Sequence, residues 1–181
     1  MCLVLAPAAQ ATTLLALDLA SLEGSADTIV RGQVTHVSSR WTQGGGRIVT
    51  EIELLVVETW KGTAPAKVVV MQPGGIVGDI GQRVDGVASF TPGEEVVVFL
   101  EARGEKFTMA GMAQGRFKVE RSSDGQAIYA RQDQCGELHL VDAVSRQPVS
   151  QPPMSMPMDS LKMRVVRTAP SQPAIAPQVT P

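Results

Sequence analysis

The sequence predicts an all-β domain, either a closed barrel or a sandwich, preceded by one short helix and followed by a proline-rich tail. Three observations predict this class. Short runs alternate between apolar and polar residues with a period of two, glycine-rich turns separate these runs, and long helical patterns between strands are missing. Hydrophobic residues make up 44% of the chain and charged residues 19%, which is a composition able to bury a core.

The helix is expected over residues 14–26. Leu15, Leu19 and Leu22 recur there at helical spacing, and Gly24 begins a stretch that would end the helix. Because the polar residues fall between the leucines, this helix is expected to be amphipathic and to lay its leucines on the sheet.

The first two predicted strands alternate between apolar and polar residues, as half-buried strands do. In residues 28–38, Val30, Val34 and the small Gly32 share one face. In residues 47–60, the predicted inward face carries Ile48, Ile52, Leu54, Val56 and Trp60. Glu51 and Glu53 lie on the opposite face, and a slip of one residue would bury both carboxylates, so the register should be well specified.

Later runs continue the sheet. Residues 95–101 are apolar on both faces, which predicts a central strand covered on both sides, with the first helix as one candidate cover. Asp124-Gly125 predicts a hairpin turn between the last two strands. Further strands are expected at 66–71, 107–110, 116–121 and 127–131, and residues 73–86 are expected to be a long glycine-rich connection.

The composition changes near Val144. Residues 144–181 carry most of the prolines. Because proline lacks the N–H donor that strand pairing and a helix interior require, this tail is expected to be extended and disordered. Residues 158–167 are compatible with a helical turn or a strand that Leu161 and Val165 would dock on the domain. The domain itself is therefore expected to span residues 12–143.

The first eleven residues resemble the end of an export signal. An apolar run leads to Ala9-Gln10-Ala11, the small-x-small pattern of a signal-peptidase site. No basic residue precedes the run, so we expect the signal to start upstream, and we expect a periplasmic or secreted protein. The alternative is an ordinary apolar segment that begins the first helix. No later segment approaches the roughly 20 apolar residues of a membrane span.

Charge and motifs argue against several function classes. The formal net charge is −2 and no block of basic residues occurs, so the footprint of a nucleic-acid-binding protein is missing. The segment Pro73–Gly81 lacks the Gly-Lys-Ser/Thr ending of a phosphate loop, and no GxSxG nucleophile elbow occurs. We therefore expect no cofactor and no recognisable catalytic site.

Three residues remain as candidates for metal or nucleophile chemistry. His36, His139 and Cys135 lack the short spacing typical of zinc ligands, so surface histidines are favoured over a metal site. Cys135 and His139 leave open a hydrolase-type enzyme as one alternative function, although neighbours in sequence are not necessarily neighbours in space. A purely structural envelope protein is the other alternative. Once Cys2 is removed with the signal, Cys135 would be a lone cysteine, either free or bonded between molecules.

The favoured binding site is the rim where two long glycine-rich connections meet. Trp41 precedes one connection and offers a large, rigid contact surface, and glycines let a backbone approach a partner closely. Both connections are longer than strand pairing requires, and long loops often carry function. The expected contact residues are Trp41, Gly44, Gly45, Gly46, Gly74, Gly75 and Asp79.

The stretch from Ala26 to Leu100 also resembles known proteins. It contains Ala26-Asp27-Thr28-Ile29-Val30-Arg31-Gly32-Gln33-Val34, then Trp60-Lys61-Gly62, then Gly93-Glu94-Glu95-Val96-Val97-Val98-Phe99-Leu100. It is similar to uncharacterised exported bacterial proteins, and more distantly it resembles netrin-like modules and tissue inhibitors of metalloproteinases. This resemblance implies an OB-like closed barrel with a protein or glycan partner. The inhibitors act through a disulfide-locked N-terminal cysteine, and this chain departs from them there, so no inhibitory residue carries over.

Export gives the first testable prediction. Expressed with its upstream region, the protein should yield a mature N-terminus at Thr12, because Ala9-Gln10-Ala11 matches the cleavage pattern. N-terminal sequencing of the purified product measures this. A stable cytoplasmic product that retains Met1 would show that the apolar run is not a signal.

Overall fold

The computed structural model describes residues 13–135, 138–150 and 152–168. Strands account for 49% and helices for 14%, so the fold is mostly β-sheet, as the sequence predicts. Residues 1–12, which hold the predicted export signal, and residues 169–181 of the tail lie outside the described part. Within the described part, no helix has both the length and the apolar character needed to cross a membrane.

Thirteen strands and two α-helices make up the described fold. In chain order the strands are β1 (Thr13–Leu15), β2 (Thr28–Trp41), β3 (Ile48–Lys61), β4 (Lys67–Pro73), β5 (Gly75–Val77), β6 (Ile80–Gln82), β7 (Glu95–Arg103), β8 (Lys106–Met109), β9 (Arg116–Arg121), β10 (Ile128–Arg131), β11 (His139–Val141), β12 (Pro148–Val149) and β13 (Ser155–Pro157). The helices are α1 (Leu19–Ser25) and α2 (Met158–Thr168), and a 3-10 helix covers Met112–Gly115.

The largest sheet has eight strands in the order β13-β10-β9-β7-β2-β3-β4-β8. β8 pairs with β7 as well as with β4, so the pairings run from β2 through β3, β4, β8 and β7 and return to β2. We call these five strands the five-strand ring. Its pairs are antiparallel except β4–β8, which is parallel and joins Val70 to Phe107. Two small sheets, β1-β11-β12 and β5-β6, flank the ring.

One apolar cluster lies between strands of the five-strand ring. Alternate residues of β2, β3, β4 and β7 build it, because side chains on one face of a strand recur every second residue. Its fully buried members are Val30, Val34, Ile52, Leu54, Val68, Val70, Val96, Val98 and Leu100. We call this set the ring core.

A second cluster lies on the other side of β7. Val97 and Phe99 point into it, and the ring of Phe99 packs on Phe117 with centroids 5.6 Å apart. Leu22 of α1 covers the same cluster, and α2 contributes Leu161. β7 is therefore buried on both faces, which confirms the sequence prediction of a doubly covered central strand, with α1 as one cover. We call this second set the helix-side core.

The first helix is shorter than predicted. Residues 13–15 form β1, which pairs in parallel with β11, and Leu15 is partly exposed. The helix starts only after Asp18, whose carboxylate accepts a hydrogen bond from the backbone N–H of Ser21 at 2.8 Å. The predicted helix over residues 14–26 is wrong in its first turn, because pairing with β11 satisfies that backbone and the cap fixes the later start.

Trp60 is buried, as predicted, but in the helix-side core rather than with Ile52 and Leu54. The pairing of β2 with β3 shifts register at three places, between Ile29 and Val30, between Arg31 and Gly32, and between Val34 and His36. Such irregularities bend a strand and increase its twist. The predicted single inward face of residues 47–60 is therefore wrong at its Trp60 end.

Part of the proline-rich tail is ordered. β12 pairs with β11, and β13 extends the large sheet by pairing with β10, at an edge where missing N–H donors are tolerated. α2 then docks through Leu161 and Val165, both fully buried. Lys162 adds an ion pair to Glu58 at 2.7 Å. Residues 148–150 and 152–168 are thus more ordered than their proline content predicts.

The docking of α2 yields a stability prediction. Leu161→Ala should lower the free energy of unfolding by about 2–5 kcal/mol, because it leaves a cavity in the helix-side core. Met163→Ala, on the exposed face of the same helix, is the matched control and should change it by no more than about 0.5 kcal/mol. Urea unfolding measures both, and equal effects would show that α2 does not contribute to the core.

Candidate functional site

A cleft of about 400 Å³ opens where β2 and β4 end and β3 begins. Its floor continues the ring core through Val37 and Ile52. The strands β5 and β6 form one wall, and residues 83–90 form the other, with Val84 and Phe90 among the apolar side chains. A concave and mostly apolar space of this size is typical of small-ligand sites.

The β5–β6 hairpin forms one side of the cleft, and we call residues 75–82 the rim hairpin. The sequence predicts only a connection here, and the paired strands correct that prediction. Two hydrogen bonds fix the entry to the hairpin, since the Gly74 N–H donates to Ile48 O and the Thr50 hydroxyl donates to Gly74 O, both at 2.8 Å. At its exit, Gln82 Oε1 accepts from the Ile48 N–H at 2.7 Å.

Glycine at position 75 is required by the close approach of this hairpin. Gly75 has a φ of +132°, and a Cβ there would overlap Ser39 Oγ and Thr50 Oγ1. Those two hydroxyls bond each other at 2.9 Å, so neither can move away without breaking that contact. Gly75 therefore lets the rim hairpin lie directly on β2 and β3.

A buried arginine stabilises the opposite wall. Arg116 is 2% exposed and pairs with Glu94 at 2.7 Å and with Asp133 at 2.5 Å. Its guanidinium carbon lies 5.3 Å from the centre of the Phe90 ring, which lines the cleft. Two carboxylates thus neutralise the buried charge, and the same side chain holds Phe90 in place.

Gln72 also lines the cleft and is the functional candidate that the sequence analysis missed. It is only 5% exposed, and among the described residues neither its Oε1 nor its Nε2 has a hydrogen-bond partner. It follows Val68 and Val70 on the inward face of β4. Residues 68–71 are apolar at both phases, so the sequence alone does not show which face of this strand Gln72 shares.

The structure brings only two of the expected contact residues to the cleft. Gly74 and Gly75 line it, whereas Asp79 lies in the exposed turn of the rim hairpin. Trp41 ends β2, where it pairs with Ile48 and is 38% exposed. The glycines at 44–46 lie in the exposed β2–β3 turn and are not among the described residues that line the cleft.

The thiol of Cys135 has the properties of a core residue. Cys135 is buried, and its Sγ lies 3.8 Å from Ala113 O. Burial, reinforced by the charge of Asp133, raises the pKa of the Cys135 thiol to about 11, which disfavours the reactive thiolate. His139 is exposed in β11, and His36 is exposed in β2. Across residues 13–135, 138–150 and 152–168, no three metal-binding side chains cluster together.

The carboxylates noted in the sequence form ion pairs. Glu51 binds Lys106 at 2.6 Å and Arg40 at 2.7 Å, and the hydrogen bonds from Lys106 and then Arg40 hold the pKa of Glu51 below its usual value. Glu95 binds Arg31 at 2.5 Å. The Arg40 and Arg31 pairs join β2 to its neighbours β3 and β7, as cross-strand pairs do, whereas Lys106 reaches Glu51 from β8, two strands away.

Comparison of the chain with models of known protein families and with curated proteins gives no significant match. The resemblance to netrin-like modules therefore stays a prediction.

The fit of Gly75 can be tested directly. Gly75→Ala should lower the free energy of unfolding by about 1–3 kcal/mol, because it adds steric overlap to an unfavourable backbone conformation. Gly46→Ala is the matched control, since a Cβ there meets open space, and it should change stability by no more than about 0.5 kcal/mol. Chemical denaturation compares the two variants. If Gly75→Ala leaves the free energy of unfolding unchanged, the rim hairpin is not held against Ser39 and Thr50.

Proposed function

We propose that this chain is an exported, non-catalytic binding module whose cleft beside the rim hairpin receives a protein or glycan partner. The observation that carries the proposal is the cleft itself, because it combines an apolar floor, two fixed walls and an unsatisfied polar group. Apolar lining with a few placed polar groups is typical of binding sites.

The pairings support an OB-like closed barrel as the scaffold. The five-strand ring returns to its first strand, and an OB-type fold is a five-stranded, partly open Greek-key barrel. Such barrels bind ligands on one sheet face and on the adjoining loops. The cleft has a comparable position, because it lies at the ends of three ring strands and beneath the rim hairpin.

The lining favours a protein partner over a glycan. Ile76 on the rim hairpin is 72% exposed and Ile80 is 55% exposed, so the apolar surface extends from the cleft to the hairpin. Interfaces between proteins bury such apolar groups at their centre and surround them with polar groups. Exposed apolar surface at a cleft is typical of an interaction site.

One observation favours binding over hydrolysis. The buried thiol of Cys135, with its raised pKa, is a poor nucleophile and so gives no support to the alternative enzyme built on Cys135 and His139.

The test compares capture of partners by the parent protein and by two rim variants. One variant replaces residues 75–81 with a short glycine-serine linker, and the other is Trp41→Ala. The linker variant should lose at least about tenfold in affinity, because it removes a wall of the cleft, and Trp41→Ala should weaken binding less. Pull-down from the native envelope fraction identifies the partners, and calorimetry with each purified partner measures the change.

A matched control replaces the β9–β10 turn, residues 122–126, with glycine-serine sequence of the same length, and it should bind as the parent does. If both rim variants fold and still capture every partner of the parent, the rim is not the site. The sheet face that carries Glu51 and Glu53 would then be the next surface to test.

A further inference from the structure

The polar groups that line the cleft differ in whether their hydrogen bonds are already made. Ser39 and Thr50 bond each other, and Gln82 Oε1 is held by the Ile48 N–H. Ser89 is bonded through its backbone to Gln134. Among the described lining residues, Gln72 is the one whose side-chain oxygen and nitrogen are both buried without a partner.

A glutamine at this position costs folding free energy. The two preceding inward positions of β4 hold Val68 and Val70, and an apolar side chain at position 72 would continue the ring core. A buried amide that lacks hydrogen bonds loses its interactions with water and gains nothing in return. A group that lowers stability at a cleft is typical of a site adapted to a ligand rather than to folding.

The chemistry of the ligand follows from the amide and its surroundings. A glutamine amide donates from Nε2 and accepts at Oε1, so its complement carries an acceptor beside a donor on one edge. A primary amide has that arrangement, and so do the backbone N–H and C=O of one residue in an extended peptide. Of the described residues that line the cleft, only Arg83 is charged, and its side chain is 88% exposed and paired with Asp85. A neutral ligand is therefore favoured.

We infer that the cleft binds an apolar ligand through a neutral amide, whose carbonyl oxygen accepts from Gln72 Nε2 and whose N–H donates to Gln72 Oε1. The inference rests on the proposed binding function and specifies the chemistry of its ligand. The apolar part of the ligand lies against Val37, Val84 and Phe90. The carbonyl and the N–H belong either to the primary amide of a small molecule or to one residue of an extended peptide segment of a protein partner.

The first experiment is an NMR titration of the full chain with three probes. These are 4-methylpentanamide, its matched ester methyl 4-methylpentanoate, and the peptide N-acetyl-Leu-Ala-Leu-N-methylamide, whose caps carry no primary amide. The small amide should shift the Gln72 side-chain signals and should bind about tenfold more tightly than the ester, which lacks the donor. Tighter binding of the peptide than of the small amide would identify a peptide segment as the source, and the reverse would identify a small molecule.

The second experiment repeats the titration with Gln72→Met, which keeps the length of the side chain and removes both hydrogen-bonding atoms. Its unfolding midpoint should equal or exceed that of the parent, and its affinity for the small amide should fall about tenfold or more. Gln43→Met, in the exposed β2–β3 turn, is the matched control and should bind as the parent does.

The outcomes separate this inference from the proposed function. Equal binding of amide and ester, or an unchanged affinity of Gln72→Met, would overturn the amide inference and leave the cleft as a binding site. The absence of any shift with all three probes at about 10 mM would also overturn it, because even weak small-molecule binding is detected there. Loss of partner capture in the rim variants is measured independently, so the proposed function fails only in that separate test.

Discussion

The burial of β7 on both faces is the constraint on which the rest of the structure depends. Val96, Val98 and Leu100 face the ring core, and Val97 and Phe99 face the helix-side core, all of them fully buried. A strand with this pattern has no face that tolerates water, so the chain must supply cover on both sides. The five-strand ring supplies one cover and the two helices with β9 supply the other.

This constraint explains why the chain returns to the sheet after its proline-rich stretch. α1 has only seven residues and covers part of the helix-side core. α2 extends that cover with Leu161 and Val165, which come from the far end of the described chain. Proline content alone predicts an extended, solvated segment. Such a segment would leave the apolar surface of the sheet exposed to water. That surface favours docking.

The sequence predicts most strands because their side chains alternate strongly between buried and exposed positions. The expected strands at 107–110, 116–121 and 127–131 correspond to β8, β9 and β10, and the turn at Asp124-Gly125 joins the last two as a hairpin. What the sequence does not predict depends on contacts between distant residues. β1 is a strand because β11 lies beside it, and Trp60 leaves the ring core because the β2–β3 pairing is irregular.

Some residues of the candidate site can likewise be predicted from the sequence, and others depend on contacts between distant residues. The sequence indicates the glycines at 74 and 75, because glycine adopts backbone conformations that other residues rarely adopt. The chemistry of Trp41 alone marks it as a candidate, and its position at the end of a strand depends on where β2 stops, which local patterns specify poorly. Gln72 was missed because glutamine is common on strand surfaces. Only the register of β4 with β3 shows that this amide points inward.

Two buried polar side chains associated with the cleft differ in charge and in their hydrogen-bond partners. Arg116 is charged, and two carboxylates pair with its guanidinium inside the protein. Much of its hydrogen-bonding capacity is therefore used internally, and its role is to hold Phe90 in the cleft wall. Gln72 is neutral, which makes it far less costly to bury without a partner than a charge would be. A neutral amide is thus the kind of group that a small domain can leave unsatisfied at a binding site. A buried charge in the same position would require its own counter-ion, and that counter-ion would occupy the space a ligand needs.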